Sequence, residues 1–169
     1  MMDELGHPTI VESLLWPDEA ATQRFAMALA RQTALRRAFI ELRGDLGAGK
    51  TTLVRHLLHA LGVQGRIKSP TYAVVEPYEL PGLAVWHFDF YRFNDPREWE
   101  DAGFRDIFAS EGLKLVEWPQ KAAGVLPRAD LVIELCVLDD ESRAVTLTAQ
   151  SALGNTLLQA QNLDLGGSA

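Results

Sequence analysis

Cysteine occurs once in these 169 residues, as Cys136, so no intrachain disulfide can form. A chain of this length can bury a working core without disulfides or structural metal. No apolar run approaches the roughly 18 residues that a membrane-spanning helix needs. The opening MMDELGHPTIVE is acidic and lacks the apolar stretch of a signal peptide, so the chain is expected to be cytosolic. Repeats are absent, and so is any linker long enough to split the chain. One domain is expected over residues 1–165, followed by a loose Gly-Gly-Ser-Ala tail at 166–169. Net positive charge is lacking as well. At −7 the chain is poorly composed for gripping RNA unaided. The imbalance is local, however: residues 24–68 are predominantly basic and 76–140 predominantly acidic. The basic third can face phosphates, an acidic partner, RNA or simply solvent. Cys136 lies in the apolar run LVIELCVL and is expected in the core.

What is present is a string, GDLGAGKTT, at residues 44–52. It satisfies G-x-x-x-x-G-K-[ST] and sits where that pattern must sit. RAFIELR (37–43) reads as a strand before it. Lys50 to Leu61 reads as a helix after it, with Leu53, Val54, Leu57, Leu58 and Leu61 on one stripe and Gly62 as its stop. Backbone N–H groups of Gly44, Asp45, Leu46, Gly47, Ala48 and Gly49 can then curl around phosphates at a helix N-terminus. Lys50 is expected to reach the β and γ phosphates, the Thr51 hydroxyl to ligate Mg²⁺, and Thr52 to donate toward the α phosphate.

The remaining pattern predicts an α/β domain with a partly parallel central sheet, antiparallel edge strands and helices on both faces. Strands are expected at 10–16, 72–79, 83–91, 113–117, 131–138 and 144–149. The second and third turn at Pro81-Gly82, and the last two form a hairpin around 139–142. Pro17-Asp18-Glu19 reads as a helix opening, with helical pieces over 95–110.

Two carboxylates stand where a phosphate-bound metal would need them. Asp89 ends VWHFD and Glu117 ends LKLVE, where Pro119 forces the chain to turn away. By position alone, Asp89 is either a metal-site acid or a surface residue. Glu117 can ligate Mg²⁺, orient a water, or make an ion pair at a strand end. His87 shares the strand parity of Asp89 and reads as structural. Lys68-Ser69-Pro70-Thr71 reads either as a proline turn or as a loop that senses the γ phosphate. The chain has no N/T-K-x-D guanine motif, which favours ATP over GTP. Arg92, Arg97, Arg105 and Arg128 are scattered and make no compact lid of the kind a small-molecule kinase brings.

GDLGAGKTT, KSPTY, HFDFYR and LVEWP, in this order, resemble the bacterial TsaE family over about Pro17 to Arg143. The resemblance implies a P-loop NTPase fold of unusual strand order. It also implies an ATPase component of tRNA threonylcarbamoyladenosine biosynthesis, working with a TsaD-type transferase and a TsaB-type companion. Those partners modify the adenosine beside the anticodon in tRNAs reading codons that begin with A, and the ATPase resets them between turnovers. On this reading Lys50, Asp89, Glu117 and Thr71 are catalytic. Thr51, Glu117 and Asp89 form the metal side, Ser69 and Thr71 belong to a switch-like loop, and Glu19 and Arg143 close over base and ribose. Phe90 stands where the family usually has leucine, and Gln120 where an acid is frequent. Two other readings fit the phosphate site: a nucleotide-gated binding module in which hydrolysis is incidental, and a small-molecule kinase.

Overall fold

The computed structural model describes residues 9–95, 97 and 103–166, and side chains as far as residue 159. Seven strands form one mixed sheet: β1 (Ile10–Trp16), β2 (Phe39–Arg43), β3 (Val75–Leu80), β4 (Leu83–Asp89), β5 (Leu113–Glu117), β6 (Leu131–Val137) and β7 (Arg143–Ala149). Their spatial order is β1-β7-β6-β2-β5-β4-β3. The middle is parallel, with β2 between β5 and β6 and β4 outside β5. Both flanks are antiparallel: β3 on β4 at one edge, and β6-β7-β1 at the other. The chain's first and last strands therefore pair with each other, although they lie far apart in sequence.

Helices cover the two faces unequally. On one face lie α1 (Glu19–Ala30), α2 (Lys50–Leu61) and α4 (Ala152–Gly166), packed on Ile40, Leu42, Leu115, Ile133, Val145 and Leu147. The alternate strand residues build a second cluster from Phe39, Phe88, Val116 and Val132. Among the described residues it is covered by α3 (Phe104–Ala109), by the 3-10 turn at Pro119–Ala122, by Phe90 and Phe93, and by Val125, Leu126 and Ala129 of the loop that follows. Phe90 is fully buried and stacks on Phe88 at 5.5 Å, so an aromatic ring fits where leucine is usual.

Cys136 is exposed, contrary to the core position expected of it. Strand alternation explains the correction. Leu135 is buried under the helices, whereas Cys136 points to the opposite side, where its neighbour along the strand face, Glu134, is exposed as well. Other boundaries moved for local reasons. Residues 33–37 form a 3-10 turn, so β2 begins at Phe39. The strand expected from residue 72 begins at Val75, because Val74 has φ 70° and its N–H closes a turn onto the Pro70 carbonyl at 2.6 Å. Of the helical stretch expected over 95–110, α3 is present and Arg97 is helical, while residues 96 and 98–102 lie outside the described residues.

α1 opens as the proline and acids imply: Asp18 caps it, accepting from the Ala21 N–H at 3.0 Å. α4 had no counterpart in the sequence reading. Ser151 caps it through the Gly154 N–H at 3.0 Å and donates to Asp130 Oδ1 at 2.7 Å. A Cβ at position 154 would lie 1.9 Å from the Asp130 carbonyl oxygen, so only glycine lets this helix dock. Gly166, the first residue of the tail expected at 166–169, is helical and ends the described part of α4, while residues 167–169 lie outside the described residues, as do residues 1–8. Among the described residues no helix is long and apolar enough to cross a membrane.

Candidate functional site

The loop leaving the C-terminal end of β2 has the place and shape that the sequence predicts for a phosphate loop. β2 is pinned on both sides by parallel partners, so residues 44–49 begin from a fixed point and deliver Gly49 to the N-terminus of α2. Gly44 has φ 147°, and a Cβ there would sit 2.5 Å from the Leu135 carbonyl oxygen. The loop can thus leave the sheet only where no side chain intervenes.

Lys50 is buried beneath this loop. Its ammonium donates to the carbonyls of Gly44 and of Asp45, the latter at 3.2 Å, and lies 4.1 Å from the centre of the Trp118 ring. Burial pulls its pKa below the ordinary lysine value, against the opposing pull of the Glu117, Asp89 and Asp45 carboxylates.

Asp89 and Glu117 are cross-strand partners at the ends of β4 and β5. The Phe90 N–H bonds the Glu117 carbonyl at 3.1 Å and holds the two strand ends level. Glu117 is buried, and its two oxygens have separate duties. Oε1 accepts from the Thr51 hydroxyl at 2.9 Å, and Oε2 meets His87 Nε2 at 2.6 Å. Asp89 Oδ2 accepts from Ser69 Oγ at 2.8 Å and Thr71 Oγ1 at 3.3 Å, while Oδ1 accepts the Tyr91 N–H at 2.9 Å. The 69–71 loop is thereby latched to the strand end beside the phosphate loop.

The donor set suits a hard cation. A hydroxyl and a carboxylate converge at Thr51–Glu117, with a second carboxylate on the next strand and no thiolate. Among the described residues no group of three or more His, Cys, Asp and Glu side chains is placed to hold an ion alone. Such a site matches Mg²⁺, which binds through one or two protein oxygens plus substrate phosphates.

The cleft has two lobes. The first, about 320 Å³, is lined by the phosphate loop from Asp45 to Thr52 and by Ser69, Thr71, Asp89, Glu117 and Trp118. The second, about 600 Å³, is lined by Trp16, Glu19, Leu135, Val137 and Glu141, among others. Gly47, Ala48, Gly49, Thr52 and Arg143 line both. Arg143 Nε donates to the Ala48 carbonyl at 2.9 Å, so the first residue of β7 is fastened to the phosphate loop. Glu19 bonds Arg55 and His56 at 3.1 Å each, and the His56 ring beside it holds its carboxyl below the usual carboxylate range, helped by Arg55.

Every residue expected at the site lines one lobe or the other, except Gly44, whose carbonyl receives Lys50 from below. Sequence reasoning missed Trp118. It sits at φ 57° with its ring over Lys50 and 5.0 Å from the Tyr91 ring. Its signal was available: an aromatic between the strand-end Glu117 and the turn-forming Pro119 has nowhere to go but the cleft. The partner of His87 was also missed, because a histidine within an apolar strand gives no hint of what it meets.

Comparison with known proteins agrees with this geometry. Residues 16–145 match the family described as Threonylcarbamoyl adenosine biosynthesis protein TsaE. A relative from Haemophilus influenzae, named tRNA threonylcarbamoyladenosine biosynthesis protein TsaE, is 43% identical over 148 residues, covering 85% of this chain and 93% of its own. A protein of the same name from Rickettsia bellii is 32% identical over 148 residues, 87% of this chain and 98% of its own. The crystal structure of YdiB from Bacillus subtilis superposes with a TM-score of 0.75 at 26% identity, over 93% of this chain and 97% of that one. The phosphate loop, the paired strand-end carboxylates and the order of the sheet thus have one explanation: the chain belongs to the TsaE family of threonylcarbamoyl adenosine biosynthesis proteins.

Proposed function

We propose that this protein is a Mg²⁺-dependent ATPase of the cytoplasm. It serves the complex that makes N6-threonylcarbamoyladenosine in tRNA, resetting a TsaD-type transferase and its TsaB-type companion between turnovers. Contact with tRNA comes through that complex. The observation that carries the reading is the 2.9 Å bond between Thr51 and Glu117 at the mouth of the phosphate loop, with Asp89 on the adjoining strand end. When bound, Mg²⁺ would neutralise charge on the β and γ phosphate oxygens and give the attacking water a defined partner. Thr51 and Glu117 would hold it, with Asp89 alongside.

The protein's own groups supply the rest. The loop amides and the N-terminus of α2 bind the phosphates and fix their position. Lys50 exchanges its carbonyl partners for phosphate oxygens and stabilises charge that grows on the γ phosphate. Ser69 and Thr71 tie the neighbouring loop to Asp89, so that loop closes on the strand end where the phosphates lie. Arg143 and the apolar wall of the larger lobe receive ribose and base.

One observation favours slow turnover in the isolated protein. Both carboxylates of the phosphate lobe are committed, Glu117 to Thr51 and His87, Asp89 to Ser69, Thr71 and the Tyr91 amide. These bonds hold both acids in fixed positions, and a partner that loosens the 69–71 loop would free Asp89 Oδ2 and speed hydrolysis. The same observation supports the second reading, a nucleotide-gated binding module in which hydrolysis is incidental. Phosphate release from ATP, measured alone and then with the transferase, companion and tRNA, separates them. A slow rate that rises in the complex is expected. An unchanged rate with tRNA still modified would favour the gated module, and a phosphorylated metabolite in place of free phosphate would favour a kinase.

A further inference from the structure

His87 lies in the middle of the site's support and belongs to none of the roles above. It is fully buried on β4, opposite Leu115 of β5, so Glu117 is its diagonal neighbour two residues along. The two side chains leave the same face of the sheet and meet at 2.6 Å, Nε2 to Oε2. The other ring nitrogen, Nδ1, is equally buried and has no hydrogen-bond partner.

These two facts fix the tautomer. A proton on Nδ1 would leave an N–H donor buried with nothing to receive it, while Nε2 would face a carboxylate with only a lone pair. A proton on Nε2 donates to Glu117 and leaves only a bare acceptor inside, the lesser cost. The ring is therefore a built-in N–H donor aimed at one oxygen of the acid whose other oxygen receives Thr51.

We infer that His87 is the positioning residue of the cation site. By holding Glu117 Oε2 it fixes the rotamer that presents Oε1 to Thr51 and to a divalent cation. Glutamate has three rotatable side-chain bonds, and the 2.9 Å contact with the Thr51 hydroxyl restrains only one end of the carboxylate. The buried donor restrains the other, and the short bond is of the charge-assisted kind. Groups that orient a metal-binding side chain in this way are typically worth about 10- to 100-fold in metal affinity. The inference rests on the proposed Mg²⁺ site and assigns its preorganisation to one ring.

The test is the Mg²⁺ concentration at which the full-length protein half-maximally binds a fluorescent ATP analogue, beside the affinity for the same analogue in EDTA. His87→Leu fills the space without a donor and is expected to raise the Mg²⁺ midpoint by about 10- to 100-fold, leaving the EDTA affinity unchanged. His87→Gln carries an amide N–H at the reach of Nε2 and is expected to restore most of the loss. An unchanged midpoint in the leucine variant, or equal loss in both variants, overturns the inference. Wild-type protein that ignores Mg²⁺ would instead overturn the proposed metal site. Should the leucine variant fail to fold, long-range ¹H–¹⁵N spectra of the wild-type imidazole decide. A ring protonated on Nε2 alone supports the assignment, and a ring protonated on Nδ1 overturns it.

Discussion

The two lobes of the cleft are built on different principles. The phosphate lobe is small and its polar side chains are engaged: Lys50 by carbonyls and a ring, Glu117 by Thr51 and His87, Asp89 by two hydroxyls and an amide. The larger lobe is walled by Trp16, Leu135 and Val137, with Arg143 as its link to the loop. The first is a preorganised electrostatic site whose groups stand in place before the ligand arrives. The second is a roomy wall on which a flat ring can rest. Rate should therefore depend on the small lobe and affinity on both.

Breaking the small lobe should have the larger consequence. Lys50→Ala is expected to lower phosphate release by at least about 100-fold, measured in the assembled complex, with the circular dichroism spectrum unchanged. Normal turnover would remove the small lobe from the chemistry. Gly44→Ala attacks the same lobe through its backbone. With the new Cβ 2.5 Å from the Leu135 carbonyl oxygen, it should cost about 1–3 kcal/mol of stability in denaturant titration and abolish nucleotide binding. A variant that binds ATP normally would show that the loop has room to shift.

Arg143→Ala sharpens the contrast from the other side. Stacking and the tie to Ala48 together predict ATP binding weakened by about 3- to 30-fold, with turnover at saturation little changed. A collapse of turnover as large as that of Lys50→Ala would mean the lobes do not divide the work. Lys50→Met tests the cost of preorganisation. Because burial depresses the pKa of Lys50, the folded state disfavours its charge, and that penalty lifts as pH rises through the depressed value. The methionine variant should therefore melt higher than wild type at neutral pH, the gap closing in alkali. Glu19→Gln should have the smallest effect, a melting temperature close to that of wild type, because the Glu19 carboxylate is solvent-exposed where it meets Arg55 and His56.

The same division explains what could be read from the sequence. The geometry of the smaller lobe was legible because its parts are local. A glycine-rich loop between a strand and a helix announces its own shape, and the strand-end acids follow from where the strands stop. The larger lobe joins Trp16 and Glu19 to Leu135 and Arg143, more than a hundred residues apart, and only likeness to a family pointed to Glu19 and Arg143. α4 escaped notice because Gly154 and Asn155 interrupt its first turn, and glycine normally signals a break. Here the glycine answers a distant backbone, the Asp130 carbonyl, which no local pattern can announce. His87 was invisible for the same reason, its partner being on another strand.

The bond from Arg143 to the Ala48 carbonyl has a consequence for the life of the protein as well as its chemistry. β7 pairs with β1, so this contact ties the edge where the two chain segments meet to the loop after β2. On the proposed reading, a nucleotide lying across both lobes would be a third attachment between them. Peeling the β6-β7-β1 flank then requires letting the nucleotide go, and a ligand that binds only the closed form suppresses opening by mass action. Protease resistance of that flank would then report whether nucleotide is bound.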